Sequence, residues 1–172
     1  MGGRILAVGG WLPLVIALAV TGCGGSGTGS SQVHGVGAGF GAKALSACAS
    51  AQESKDRWSD FPAPDFDPTR PDEAKLPQVG AWLESQVAPT FDAWLADLTA
   101  LGKPPTGRRA WTEVLTLVRK IDDLNRVQVQ AAKAGDTHAF ADATHALKDV
   151  QPELERATAA AGVGKCAEVH AG

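Results

Sequence analysis

His138, Asp142, His145 and Asp149 recur at intervals of four, three and four residues, a spacing that lines one side of a helix. Imidazole and carboxylate groups so placed are zinc ligands. Phe140 and Leu147 lie among them, and if these two face a core, the four polar residues face water. A solvated helix face is then expected, and the HExxH arrangement of zinc hydrolases is absent. Asp65 and Asp67 flank Phe66 and offer the oxygens calcium prefers, but the glycine and distal glutamate of an EF-hand loop are missing. No Ser, His and Asp set and no activated cysteine can be assembled, so the reading predicts no catalytic residue, metal or cofactor.

Binding chemistry is better represented. Trp58, Trp82, Trp94 and Trp111 are four of the five tryptophans, and large flat side chains shape apolar sites. Trp82 and Trp94 fall at different angles on one helical stretch, so at least one should lie near the surface. A groove near Trp82, Pro89 and Trp94 is therefore a candidate site for a small apolar ligand. Asn125 and Gln128 fall on or beside an apolar seam, where buried amides either pair with neighbours or face a cavity. Arg108 and Arg109 are most simply solvated.

These residues must be positioned by helices. Abundant alanine, no tyrosine and no alternating β-branched runs favour an all-α fold. A first helix is predicted over residues 42–58, with Leu45, Cys48, Ala49 and Gln52 inward, then a crossing loop with Pro62, Pro64, Pro68 and Pro71. A second begins near Asp72, tolerates Pro77 in its first turn and ends before Gly102; its stripe is Leu83, Val87, Phe91, Trp94, Leu98 and Leu101. Pro89 removes the amide that would bond the Ser85 carbonyl, predicting a kink that either opens a groove or bends the helix round the core.

Thr106 is read as the cap of a third helix bearing Val114, Leu117, Ile121, Leu124, Gln128 and Ala131. Gly135 and Asp136 then force a tight hairpin into a fourth, with Phe140, Ala143, Leu147, Val150, Leu154, Ala157 and Ala161 inward, Pro152 as a second kink candidate and Gly162 at its end. Four helices and modest loops predict an up-down-up-down four-helix bundle. In that topology Cys48, near the start of the first helix, meets Cys166, just past the end of the fourth, and a disulfide closes the bundle.

The chain also opens with an address. Arg4 precedes an apolar core over residues 11–20, the layout of a secretory signal segment. It closes with Val20, Thr21, Gly22 and Cys23, an aliphatic residue, two small ones and a cysteine, which resembles the lipobox of bacterial prolipoproteins. The resemblance implies cleavage after residue 22, a diacylglyceryl group on Cys23 and attachment to the extracytoplasmic face of the cell membrane. The rival, an uncleaved anchor helix, is short for a span and is weakened by Pro13.

Residues 23–41 are rich in Gly and Ser and read as a flexible tether with His34 in it, spanning about 20 to 25 Å; residues 42–172 form the domain. The Ala- and Gly-rich composition is similar to that of small actinobacterial lipoproteins. A net charge of −3 gives no basic surface for nucleic acid. The sequence thus predicts a non-enzymatic binding or interaction module of the cell envelope, with an envelope protein as partner. The alternative is a carrier of a small apolar ligand between helices, and metal binding at His138 and His145 is a minority reading. An internal apolar cavity would favour the carrier; a solid interior with an exposed apolar patch would favour the protein partner.

Overall fold

The computed structural model describes residues 35–61 and 63–170. The signal segment, the lipobox with Cys23, and the tether as far as His34 lie outside the described residues. Within them the chain is an all-α bundle without strands: α1 (Ala38–Asp56), α2 (Leu76–Trp82), α3 (Ala88–Ala100), α4 (Arg108–Ala134) and α5 (Thr137–Ala161). Short 3-10 helices cover Arg57–Asp60 and Gly164–Val169, and a π turn over Leu83–Val87 joins α2 to α3. None of the described helices is long and apolar enough to cross a membrane.

The α4–α5 hairpin is set by local chemistry. Gly135 takes φ 71° as the C-cap of α4, a left-handed conformation that disfavours side chains with a Cβ. Asp136 then accepts the Ala139 amide at 2.9 Å and starts α5. The two helices bury Ile121, Val118, Phe140, Val150 and Leu154 between themselves and their neighbours. Pro152 does not interrupt α5, which runs through it to the Gly162 cap.

The second predicted helix is one rod made of α2, the π turn and α3. Pro77 sits in its first turn as expected. Pro89 cannot donate to the Ser85 carbonyl, and the chain responds by widening: the Ala88 amide bonds the carbonyl of Leu83, five residues back. Gly80 allows α2 to approach α4, since a Cβ there would lie 3.1 Å from Ala132 Cβ and 3.2 Å from the Lys133 amide nitrogen.

Three expectations are corrected. The ordered domain begins before residue 42: α1 starts at Ala38, and Val36 is 2% exposed, its amide bonded to Ala161 O at 3.1 Å. The Gly-rich composition concealed Val36 and Phe40, whose ring meets the edge of Trp111 at 4.9 Å. Thr106 does not cap α4; Gly107 occupies that position, and the Thr106 hydroxyl donates to Gly35 O at 2.7 Å. The inward face of α1 is Gly41, Ala44, Cys48 and Ala51, whereas Leu45 and Gln52 are half-buried and Ala49 is exposed. Small residues there let α1 pack closely on α3 and on the terminal 3-10 helix.

Cys48 and Cys166 form the expected disulfide, with Cα atoms 5.1 Å apart. The Trp94 indole N–H, 1% exposed, donates to Cys48 Sγ at 3.4 Å. Past Gly162 the chain turns, and the 3-10 helix packs on both α1 and α5, burying Cys166, Ala167 and Val169. The segment just before α1 therefore bonds the end of α5 through Val36 and Ala161, while α1 itself is joined to α5 through this short helix.

Replacing both Cys48 and Cys166 by Ser is expected to reduce unfolding free energy by about 2 to 4 kcal/mol, because the bridge closes a 118-residue span. A urea titration measures this, and an unchanged midpoint would contradict it. Asp136→Ala is expected to cost about 1 kcal/mol through loss of the α5 cap, read from the same titration.

Candidate functional site

Around the π turn the helices part. A cavity of about 500 Å³ opens between the α2–α3 rod, α4, α5 and the ends of α1 and of the terminal 3-10 helix. The rod contributes Trp82, Leu83, Val87 and Phe91. Leu83 and Val87 belong to the π turn itself, so the repair of Pro89 shapes the wall directly. Lys133 Nζ holds that turn from outside through both carboxylate oxygens of Glu84, at 2.8 and 2.9 Å.

Trp58 completes an aromatic side. Its ring centroid lies 6.0 Å from Trp82 and 6.2 Å from Phe91. Both indole N–H groups are engaged within the protein, Trp58 with Thr90 Oγ1 at 3.2 Å and Trp82 with Phe61 O at 2.6 Å. Their remaining surface is apolar ring.

The floor is polar but internally bonded. Gln128 Nε2 donates to Thr144 Oγ1 at 2.8 Å, and that hydroxyl donates to Phe140 O at 2.9 Å. Asn125 Nδ2 donates to Ile121 O at 3.0 Å. Both amides line the cavity, so of the two fates open to them they meet both: a protein partner and a cavity wall. Leu147, on the inward stripe of α5, remains half-buried because it faces this space.

Lys55, Lys148, Gln151 and His170 also line the cavity, and among the described residues no carboxylate does. His170 Nε2 lies 2.9 Å from Leu147 O; a carbonyl only accepts, so Nε2 carries a proton. Burial holds the His170 pKa below its ordinary value, the Leu147 carbonyl works against this, and the Lys55 charge adds to it. Burial likewise lowers the Lys55 pKa, offset in part by Asp56.

The sequence-predicted groove residues separate. Trp82 lines the cavity, Trp94 is buried beneath the disulfide, and Pro89 is exposed, lining instead a shallow groove of about 270 Å³ with Trp58 and Phe61. His138, Asp142, His145 and Asp149 are exposed; His138 Nδ1 lies 3.4 Å from Asp142 Oδ2, with side chains 87% and 67% accessible. Among the described residues no three His, Cys, Asp or Glu side chains converge on a metal-sized site. Asp67 accepts the Thr69 hydroxyl and amide, which hold its carboxyl at about 2, and the Lys75 ammonium binds the Asp65 carbonyl.

Two other features compete for attention. A depression of about 690 Å³ at the head of α1 is lined mainly by glycine and alanine, with Thr106 already bonded to Gly35. On the α3–α4 face, Arg126 bridges Asp92 and Asp122, and burial followed by the neighbouring Asp92 raises the Asp122 pKa. Neither combines enclosure with an apolar wall as the central cavity does.

Sequence reasoning found Trp82, Asn125 and Gln128 but missed Lys55, Thr144, Lys148 and His170. A signal for His170 existed: the Cys166 bridge pins the chain four residues before it. Comparison with protein-family models, with curated proteins and with solved structures finds no match.

Acidification tests the His170 environment. The unfolded chain protonates this ring near 6.5 and the native fold resists doing so, so its contribution to stability is full above that pH and is lost as pH falls below it. Thermal unfolding between pH 7.5 and 5 should show a falling midpoint, less steep in His170→Gln. Equal slopes would place the pH dependence elsewhere.

Proposed function

We propose that the protein is a lipid-anchored extracytoplasmic binding protein that carries a small, largely apolar ligand between its helices. The observation carrying this reading is the cavity of about 500 Å³ with Trp58, Trp82 and Phe91 on one side and bonded amides below. Its size and mixed lining suit a small organic molecule. The alternative of an envelope-protein partner has less support. The large exposed apolar side chains among the described residues are Phe61 and Val127, too little surface for an apolar docking patch.

A non-enzymatic role is supported by the state of the polar groups. Gln128, Thr144, Asn125 and His170 are all tied to protein atoms, as expected of groups that set shape and orientation. Cys23 supplies the anchor in this proposal, with residues 24–34 as the leash.

Protein extracted from its own membranes is expected to carry extra mass in a native spectrum that denaturation releases. Trp82→Ala should lose that mass, or bind at least about tenfold more weakly, while keeping its helical circular dichroism. A folded protein without adduct that crosslinks to an envelope protein in intact cells would replace the carrier reading with the partner reading.

A further inference from the structure

We infer that the cargo carries a hydroxyl group on its apolar body, and that Asn125 and Gln128 at the floor of the cavity bind that hydroxyl. This rests on the carrier reading and names the polar group that the carrier selects.

A primary amide has two N–H donors at one end and a carbonyl acceptor at the other. The bonds that hold these two amides use the nitrogen end alone. The Ile121 carbonyl only accepts, so Asn125 must turn Nδ2 toward it. The Thr144 hydroxyl spends its single proton on Phe140 O, and so it can only accept from Gln128 Nε2. Both orientations are therefore fixed by the chemistry of the partner. Among the described residues no donor reaches Asn125 Oδ1 or Gln128 Oε1. The two residues are 5% and 7% exposed and both line the cavity, and an acceptor so enclosed is costly to leave empty.

Gln151, in the lining from α5, repeats the pattern. Its Nε2 donates to Glu155 Oε1 at 2.9 Å and to Ala167 O at 3.4 Å, which occupies both N–H groups, and its Oε1 is buried without a partner. Three lining amides on two helices are thus each bonded through nitrogen with the carbonyl left over.

Asn125 and Gln128 stand three residues apart on α4, a spacing that puts them on one face. Each keeps one N–H beside its empty carbonyl. A hydroxyl both donates and accepts, so it can answer the carbonyl of one amide and the N–H of the other. A carboxylate or an ether only accepts and leaves the carbonyls unanswered. An ammonium donates, but its charge would enter a space where burial already holds the His170 pKa below its ordinary value. Trp58, Trp82 and Phe91 then receive the apolar body.

The test uses the full chain in lipid nanodiscs, with empty nanodiscs as the partition blank, and equilibrium dialysis of octanol, heptyl methyl ether and octylamine, which match in size. Octanol is expected to bind about tenfold more tightly than the ether, and octylamine more weakly than octanol. Gln128→Met and Asn125→Leu, close in shape to the residues they replace, should each lose most of the preference for octanol and leave the ether unchanged, the unchanged ether showing that the cavity is intact. Should a variant fail to fold, the comparison of probes on the parent chain decides. Equal binding of octanol and the ether, a preference for octylamine, or a preference for octanol that survives in both folded variants would overturn the hydroxyl inference and leave the carrier reading standing. Failure of all three probes to bind would overturn both.

Discussion

The Cys48–Cys166 bridge does more than close a long loop. A six-residue 3-10 helix has weak hydrogen-bond geometry and little stability of its own, so Gly164–Val169 depends on what fastens it to the bundle. The bridge supplies a covalent tie to α1, Trp94 covers one sulfur, and Ala167 and Val169 add modest apolar burial. Val169 and His170 reach the cavity wall only because this segment is held. One covalent constraint therefore completes a site built mostly from other elements.

A second constraint acts through what is missing. The amide Pro89 lacks is compensated within the backbone by the π turn, so the rod continues without a break but with one wider turn. Opposite it, α4 and α5 present Asn125, Gln128 and Thr144 in place of bulky aliphatics. Close packing fails there from both sides, by backbone geometry on one and by polar side chains on the other. Buried amides and hydroxyls so well paired resist collapse, since filling the space would desolvate or displace them.

The helices that carry regular stripes were legible. Asp136, Gly135 and Gly162 mark ends by their own chemistry, and the spacing from Phe140 to Ala161 leaves little choice of face. α1 was not, because alanines at 42, 44, 47, 49 and 51 surround it and give no apolar direction; packing against Trp94 and the terminal segment chose the face. Pro89 announced a missing hydrogen bond but not its repair. The site was legible only in its aromatic and amide parts. Lys55 precedes Lys148 by 93 residues and His170 by 115, and no local pattern joins Lys55 to His170.

The bundle receives the chain at one end, where Val36 bonds Ala161 and Thr106 bonds Gly35. Lys55 lies 17 residues along α1 from Ala38, about 25 Å away at 1.5 Å per residue. The seam where the described chain joins the bundle and the cavity that Lys55 lines are therefore at opposite ends of α1. A pull on Gly35 is taken up first by the Val36–Ala161 and Thr106–Gly35 bonds, a full helix length from the cavity wall.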